Sequence, residues 1–177
     1  MSSMEQPKNY AFVDGKNLYL GIRELDWKLD YKRFRVYLKE KYGVEKAYMF
    51  MGFLPTNQEL YNFLQTVGFV LIFKPILQDN QHPIKGNCDA DLVLQVTRDA
   101  YESKFERAVL ISSDGDYASL VKFLQERNRL RVILSPHTKE KCSILLKRTN
   151  APITYLNDVR SFFERGKEKA PDADGTA

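Results

Sequence analysis

Stretches of continuous apolar residues alternate along the chain with longer segments in which apolar residues recur at helical spacing. The apolar stretches predict six strands, at 10–13, 44–51, 69–73, 107–111, 130–134 and 153–156. The segments between them predict helices at 30–42, 57–67, 88–103, 116–126, 137–147 and 157–165. The run FVLIF at 69–73 is apolar throughout, as is typical of a parallel strand that is covered on both faces. The alternation predicts the α/β class, and within it a three-layer α/β/α sandwich around a mostly parallel sheet.

The length of 177 residues fits one domain with a single interior. We expect an N-terminal extension at 1–9, a folded domain at 10–165 and a polar, disordered tail at 166–177. The first residues lack the apolar core of a secretion signal, and no stretch has the length of a membrane span. We therefore expect a soluble, cytoplasmic protein without a membrane partner. The wide separation of Cys88 and Cys142 argues against a disulfide framework or a zinc site.

Basic and acidic residues are nearly balanced, with 27 Lys and Arg against 23 Asp and Glu. Their distribution is uneven, because bases concentrate at 28–41, 127–131 and 139–148, whereas acids gather at the ends of predicted strands and helices. An acidic pocket within a basic surface suits a polyanionic ligand that is held near a bound cation. The same basic runs are equally consistent with solvated helix faces.

Aspartates stand at three predicted element ends. Asp14 follows the first strand, Asp114 and Asp116 follow the fourth, and Asp89 and Asp91 open the helix between the third and fourth strands. Open α/β sheets place their chemistry at the carboxyl ends of the strands, so we expect a shared carboxylate cluster there. We expect Asp89 to lie deeper in it than Asp91, because helical residues two positions apart face different sides. Each aspartate by itself also fits an ordinary turn or helix cap.

Clustered carboxylates remain ionised together only when a cation lies among them. Mg²⁺ or Mn²⁺ is the expected cofactor, because carboxylates and water are its usual ligands and the ion can activate a water for phosphodiester hydrolysis. Neighbouring polar residues are candidates for binding a substrate phosphate or orienting the acids, namely Lys16, Asn17, Lys85, Ser112 and Ser113.

Three motifs contain these residues: FVDGKN at 12–17, KGNCDADLVL at 85–94 and LISSDGDY at 110–117. In order and separation they resemble the NYN-domain family, the LabA-like branch of the PIN-like nuclease superfamily. The resemblance implies a PIN-like (Rossmann-like) topology and metal-dependent ribonuclease activity. It also implies a quartet of catalytic, metal-binding acids and one further acidic ligand, which are Asp14, Asp89, Asp114 and Asp116, with Asp91 as the fifth.

The chain departs from the family pattern at three places. Ser113 stands where many relatives carry glycine, Tyr117 replaces the usual phenylalanine, and Gln95 occupies a position that is often acidic. The change at Gln95 predicts a weaker second metal site. None of the three removes a primary acidic residue, so we expect a competent centre.

The leading hypothesis is a metal-dependent endoribonuclease that acts on single-stranded or structured RNA, although the sequence does not exclude DNA. Tyr19, Trp27 and Phe53 are candidates to stack bases. The main alternative is a non-catalytic RNA-binding or regulatory module on the same fold. A phosphatase or phosphotransferase is a third, for which the characteristic motifs are missing. The adjacent Phe162 and Phe163 would offer a homodimer interface if they are exposed.

Overall fold

The computed structural model describes residues 7–75 and 88–166. The strands in this range are β1 Asn9–Asp14, β2 Val44–Gly52, β3 Phe69–Lys74, β4 Ala108–Ile111, β5 Leu130–Ser135 and β6 Ile153–Tyr155. The α-helices are α1 Gly15–Glu24, α2 Tyr31–Tyr42, α3 Gln58–Thr66, α4 Asp89–Tyr101, α5 Ala118–Glu126 and α6 Ile144–Lys147. The loop predicted before α4 and the predicted tail lie outside the described residues, apart from their first positions, as does most of the predicted N-terminal extension. Within the described ranges, no helix is both long and apolar enough to cross a membrane.

The strands form one parallel sheet in the order β3-β2-β1-β4-β5-β6. The order reverses at β1, because the chain first builds outward through β2 and β3 and then continues on the other side with β4. Val13 of β1 pairs with Ile111 of β4, so the carboxyl ends of these two strands lie side by side. This is the topological switch point at which open α/β sheets bind ligands.

Helices cover both faces of the sheet. Successive residues of β1 point to opposite faces: Ala11 and Val13 join a core with α1, α2 and α3, whereas Tyr10 and Phe12 join a core with α4, α5 and α6. All four of these side chains are buried. The arrangement confirms the predicted three-layer α/β/α sandwich of PIN-like topology.

Local capping residues set both ends of α2, and a glycine ends the turn after α3. The Asp30 side chain accepts a hydrogen bond from Arg33 N (3.0 Å) at the start of α2. Gly43 ends α2 in the left-handed conformation, with φ of 64°, and Gly68 has φ of 100° before β3. These observations confirm the predicted bounds of α2.

Three helical segments differ from the prediction. The sequence pattern does not reveal α1, because Asp14-Gly15 and the second glycine, Gly21, are typical of a turn. In the structure Asp14 caps this helix. The helix predicted at 137–147 is wrong except for its last turn, because the amides of Lys141 and Cys142 both donate to Thr138 O in a tight turn before α6. The helix predicted at 157–165 is a 3-10 helix at Leu156–Phe162.

β3 is less covered than its apolar sequence suggests. It forms one edge of the sheet, where Val70 is 40% exposed and Phe73 is 37% exposed. The prediction of a strand covered on both faces is therefore wrong for β3. β3 packs against α3, and the exposure of Val70 and Phe73 shows that its faces are only partly covered.

Phe162 and Phe163 lie in different environments. The Phe163 ring is fully buried, with its centroid 5.1 Å from that of Tyr37 and 5.3 Å from that of Phe34, whereas Phe162 is 63% exposed. The Phe163 carbonyl also accepts a hydrogen bond from Asp30 N, which fixes this segment against the start of α2. Phe162 is thus the member of the pair at the surface, and a homodimer through it stays a prediction.

α1 packs closely against the loop that follows β5. A Cβ added at Gly21 would lie 2.6 Å from Pro136 Cβ and 2.8 Å from Pro136 O. We expect Gly21→Ala to lower the free energy of unfolding by about 1–3 kcal/mol through overpacking, although alanine is the better helix former. Denaturant unfolding measures this difference, and an unchanged or higher stability would show that α1 does not contact Pro136 in this way.

Candidate metal centre

Three carboxylates converge beside the switch point of the sheet. Asp89 opens α4, and Asp114 and Asp116 lie in the turn that follows β4. One oxygen from each of them lies within 4.8 Å of the oxygens from the other two. Asp89 and Asp114 are partly buried and Asp116 is exposed, so the group is open to solvent on one side. Among the described residues, this group has the spacing needed to bind one metal ion.

Asp14 lies behind this group and is connected to it by a tyrosine. Its Oδ1 accepts a hydrogen bond from Asn17 N (3.0 Å) and so caps α1. The Tyr117 hydroxyl lies 3.1 Å from Asp14 Oδ2 and 2.7 Å from Asp89 Oδ1. Asp14 is therefore not one of the three converging acids, but a single buried hydroxyl joins it to Asp89.

Burial and neighbouring acids both affect the ionisation of Asp14. Burial raises the pKa of the Asp14 carboxyl above its ordinary value of 3.8, and the charges of Asp89 and Asp114 raise it further. The hydrogen bonds from Asn17 N and Tyr117 Oη lower it in part. Burial, together with the charges of Asp14, Asp91 and Asp89, also raises the pKa of the Cys88 thiol to about 11, so this thiol is a poor nucleophile.

The Tyr117 hydroxyl has one proton and two carboxylate neighbours. It can donate to only one carboxylate at a time. Burial and the two acidic neighbours raise the pKa of this phenol well above its usual value of 10.0, so it stays a donor. The Tyr117 hydroxyl thus links the Asp14 and Asp89 carboxylates, and its single proton is donated to one of them at a time.

The side chains of Asp91 and Asp89 face different sides of α4. Its Oδ2 lies 3.3 Å from the Nζ of Lys74, at the end of β3, and about half of its side chain is exposed. The two acids follow the expected helical geometry, in which positions two residues apart face different sides. Asp91 therefore lies at the rim of the centre, where it is paired with a lysine.

Three of the polar residues predicted to bind substrate form hydrogen bonds with other residues of the protein. Asn17 Oδ1 accepts hydrogen bonds from Ser113 N (2.9 Å) and Ser113 Oγ (3.0 Å), and Ser112 Oγ accepts one from Asp114 N (3.1 Å). Both serines are buried. These contacts hold the turn that carries Asp114, and a substrate contact of the two hydroxyls stays a prediction. Lys16 is exposed in the first turn of α1, and Lys85 lies outside the described residues.

The acidic turn itself is closely packed on its outer side. A Cβ added at Gly115 would clash with Ser143 Oγ, so glycine is needed for the turn to approach the segment before α6. Asp114 caps this turn by accepting a hydrogen bond from Asp116 N (3.0 Å). The helix cap in this motif is thus Asp114 rather than Asp116.

A family model called NYN domain matches residues 10–156. The chain belongs to the NYN-domain family. The Asp14, Asp89 and Asp114 motifs all lie within the matched range. No curated protein matches the chain at the sequence level. A crystal structure of a protein of unknown function from Vibrio parahaemolyticus is similar in fold, with a TM-score of 0.76 and 24% identity, and the match covers 93% of this chain and 100% of that one.

The NYN domain described here therefore combines a PIN-like nuclease fold with a carboxylate cluster at the switch point. Two features near the cluster depend on residues that depart from the family pattern. The hydroxyl of Tyr117 supplies the Asp14–Asp89 bridge, which a phenylalanine would lack. Gln95 Nε2 donates to both oxygens of the buried Asp99, at 3.0 and 2.9 Å, so the Gln95 amide serves a neighbouring carboxylate within α4.

Sequence reasoning does not find every residue near the centre. His137 contacts Ser113 and lies beside Glu24, although these residues are far apart in sequence and carry no motif. Trp27, a predicted base-stacking residue, is buried and unavailable for that role, whereas Tyr19 and Phe53 are 56% and 39% exposed. The apolar pattern could have indicated the burial of Trp27, but nothing in it signals His137.

Proposed function

We propose that this NYN domain is a metal-dependent ribonuclease that cleaves phosphodiester bonds of RNA at the carboxylate cluster. The observation that carries the proposal is the convergence of Asp89, Asp114 and Asp116 at the switch point of the sheet. Asp89 and the turn that carries Asp114 and Asp116 come from separate parts of the chain, so their meeting is a property of the fold.

The donor set fits a hard divalent cation. Carboxylate oxygens are preferred by Mg²⁺ and Mn²⁺, whereas a soft metal would favour thiolates or imidazoles. Asp89, Asp114 and Asp116 would hold the ion, and its positive charge would offset the negative charge of these three carboxylates and of the buried Asp14 beside them. When bound, the ion supplies an activated water and neutralises charge on the phosphate.

The surroundings of the cluster fit a polyanionic substrate. The segment at 139–148 carries four basic residues, and its Ser143 N donates to Ser113 O (3.1 Å), so this segment adjoins the acidic turn. Lys16 lies exposed two residues after Asp14. Lysines at these places can bind phosphates as point charges and orient the RNA backbone across the acids.

Exposed aromatic side chains favour an unpaired strand as the substrate. On α1, Tyr19 is exposed, and the Arg23 guanidinium lies 5.4 Å from the centre of its ring. Phe53 follows β2 and is partly exposed beside Phe73 and Tyr61. Aromatic rings that face solvent can stack bases of a single strand, whereas the bases of a duplex are already stacked on one another.

The direct test is cleavage of a labelled single-stranded RNA by the purified protein in Mn²⁺, in Mg²⁺ and in EDTA, with DNA of the same sequence in parallel. We expect internal cleavage of the RNA with metal and intact RNA with EDTA. Binding of RNA without metal-dependent cleavage would favour the non-catalytic module. Cleavage of the DNA alone would assign the centre to DNA.

A further inference from the structure

A histidine lies on the far side of the turn that carries Asp114. His137 Nδ1 is 2.6 Å from Ser113 Oγ, and its Nε2 is 3.9 Å from Glu24 Oε2. Glu24 Oε2 also accepts a hydrogen bond from Lys141 Nζ (2.7 Å). The His137 ring is largely buried, with 15% of its side chain exposed. A chain of polar contacts thus leads from the surface at Glu24 to the residue before Asp114.

One hydrogen-bond arrangement satisfies both contacts of the Ser113 hydroxyl. With the imidazole proton on Nδ1, His137 donates to Ser113 Oγ, and the Ser113 hydroxyl donates to Asn17 Oδ1 (3.0 Å). Ser113 N donates to Asn17 and Ser113 O accepts from Ser143 N, so every polar group of Ser113 has a partner.

The backbone around His137 is itself anchored. Pro136 lies directly against Gly21 of α1, where a Cβ would clash with it. The Ser135 hydroxyl donates to His137 O (2.9 Å), and the Ser135 side chain is fully buried. The imidazole therefore projects from a fixed backbone toward Ser113, which is the arrangement needed for a group that sets the position of another residue.

We propose that His137 is a positioning residue of the metal centre: through Ser113 it holds the peptide that aims the Asp114 carboxylate at the cation. The proposal rests on the metal centre described under the proposed function. Residues that orient metal ligands typically change metal affinity by about 10–100-fold when removed. His137 touches none of the three converging carboxylates, so its effect must travel through Ser113 and the turn.

The test compares His137→Ala, His137→Asn and Lys8→Ala in the full-length protein, with Mn²⁺ as the probe. Calorimetry measures the Mn²⁺ dissociation constant, and amide hydrogen exchange of residues 113–116 is followed in EDTA. We expect His137→Ala to weaken Mn²⁺ binding by about 10-fold or more and to speed exchange in the turn. His137→Asn retains an amide near the Nδ1 position and should restore much of both properties.

The Lys8→Ala variant is the control, because Lys8 lies before β1, at the opposite edge of the sheet from the acids, and its Nζ lies 3.9 Å from Glu45 Oε2. It removes an exposed ion pair, which contributes little, so Mn²⁺ affinity and exchange should stay within about twofold of wild type. If His137→Ala does not fold, Ser113→Ala removes the same contact from the other side and should give the same two changes. Wild-type affinity and exchange in a folded His137→Ala or Ser113→Ala variant would overturn the proposal.

The two readouts separate this proposal from the proposed function. A wild-type protein that binds no Mn²⁺ would contradict the metal centre, yet the exchange measurement in EDTA would still show whether His137 holds the turn. A protein that binds Mn²⁺ but cleaves no RNA would contradict the nuclease function and leave the role of His137 in metal binding intact.

Discussion

Replacing Asp114 with asparagine is expected to lower metal-dependent RNA cleavage by about 100-fold or more, equivalent to roughly 3 kcal/mol of transition-state stabilisation. Asparagine keeps an oxygen that can accept the hydrogen bond from Asp116 N, so the turn after β4 should remain formed. The loss would therefore come from the missing negative charge in the group of three converging carboxylates. Single-turnover cleavage of labelled RNA in Mn²⁺ measures the effect, and circular dichroism reports the fold.

The matched control for this variant is Asp158→Asn. Asp158 is exposed and follows β6 at the other end of the sheet from β3, so the same chemical change there should leave cleavage unchanged. Mn²⁺ should also raise the melting temperature of wild type and of Asp158→Asn, but much less that of Asp114→Asn, because only a native state that binds the ion is stabilised by it. Equal cleavage by all three proteins would contradict catalysis at this cluster.

The second large effect concerns stability. We expect Asp14→Asn to raise the stability of the metal-free protein near neutral pH by about 1–2 kcal/mol, or roughly 3–6 °C in melting temperature. The reason is that Asp14 is buried beside Asp89 and Asp114, which raises the pKa of its carboxyl. Asparagine removes the charge while its oxygen can still accept from Asn17 N and its amide can face the Tyr117 hydroxyl. Thermal melts in EDTA measure the difference.

The pH dependence of this difference follows from the direction of the pKa shift. A carboxyl whose pKa is raised on folding binds its proton more tightly in the native state. Its contribution to stability is complete below its ordinary value of 3.8 and is lost as the pH rises through the folded-state pKa. The advantage of Asp14→Asn over wild type should therefore grow with rising pH and vanish in acid. An advantage that is constant with pH would show that the Asp14 charge is not its cause.

Much of the fold can be predicted from the sequence, because the residues that begin and end a helix act through local capping. The bounds of α2 are set by Asp30 and Gly43, which act through their own side chain or backbone and need no tertiary partner. α1 escapes prediction because Asp14-Gly15 is typical of a turn. In the structure the cap from Asp14 and the packing of Gly21 on Pro136 both support a helix there. The turn at 138–142 is closed by local hydrogen bonds to Thr138 O, and the Lys141 side chain in it also bonds the distant Glu24.

The candidate site, like the fold, can be predicted only in part from the sequence. The aspartates at element ends can be recognised in the sequence, since parallel strands bring their carboxyl ends to one edge. The sequence does not distinguish Asp14, which lies behind Tyr117, from Asp114, which joins the converging group. It also gives no sign of His137, because its contact with Ser113 depends on how two loops pack. Residue spacing thus predicts which strand ends meet, whereas side-chain packing decides which oxygens face one another.

The proposed function depends on Asp89, Asp114 and Asp116 together binding one divalent cation. An anomalous difference map from crystals of this protein soaked in Mn²⁺ tests this directly. We expect a peak that is coordinated by one oxygen from each of these three side chains. A map with no peak at this place, and carboxylates bonded only to neighbouring amides and hydroxyls, would contradict it.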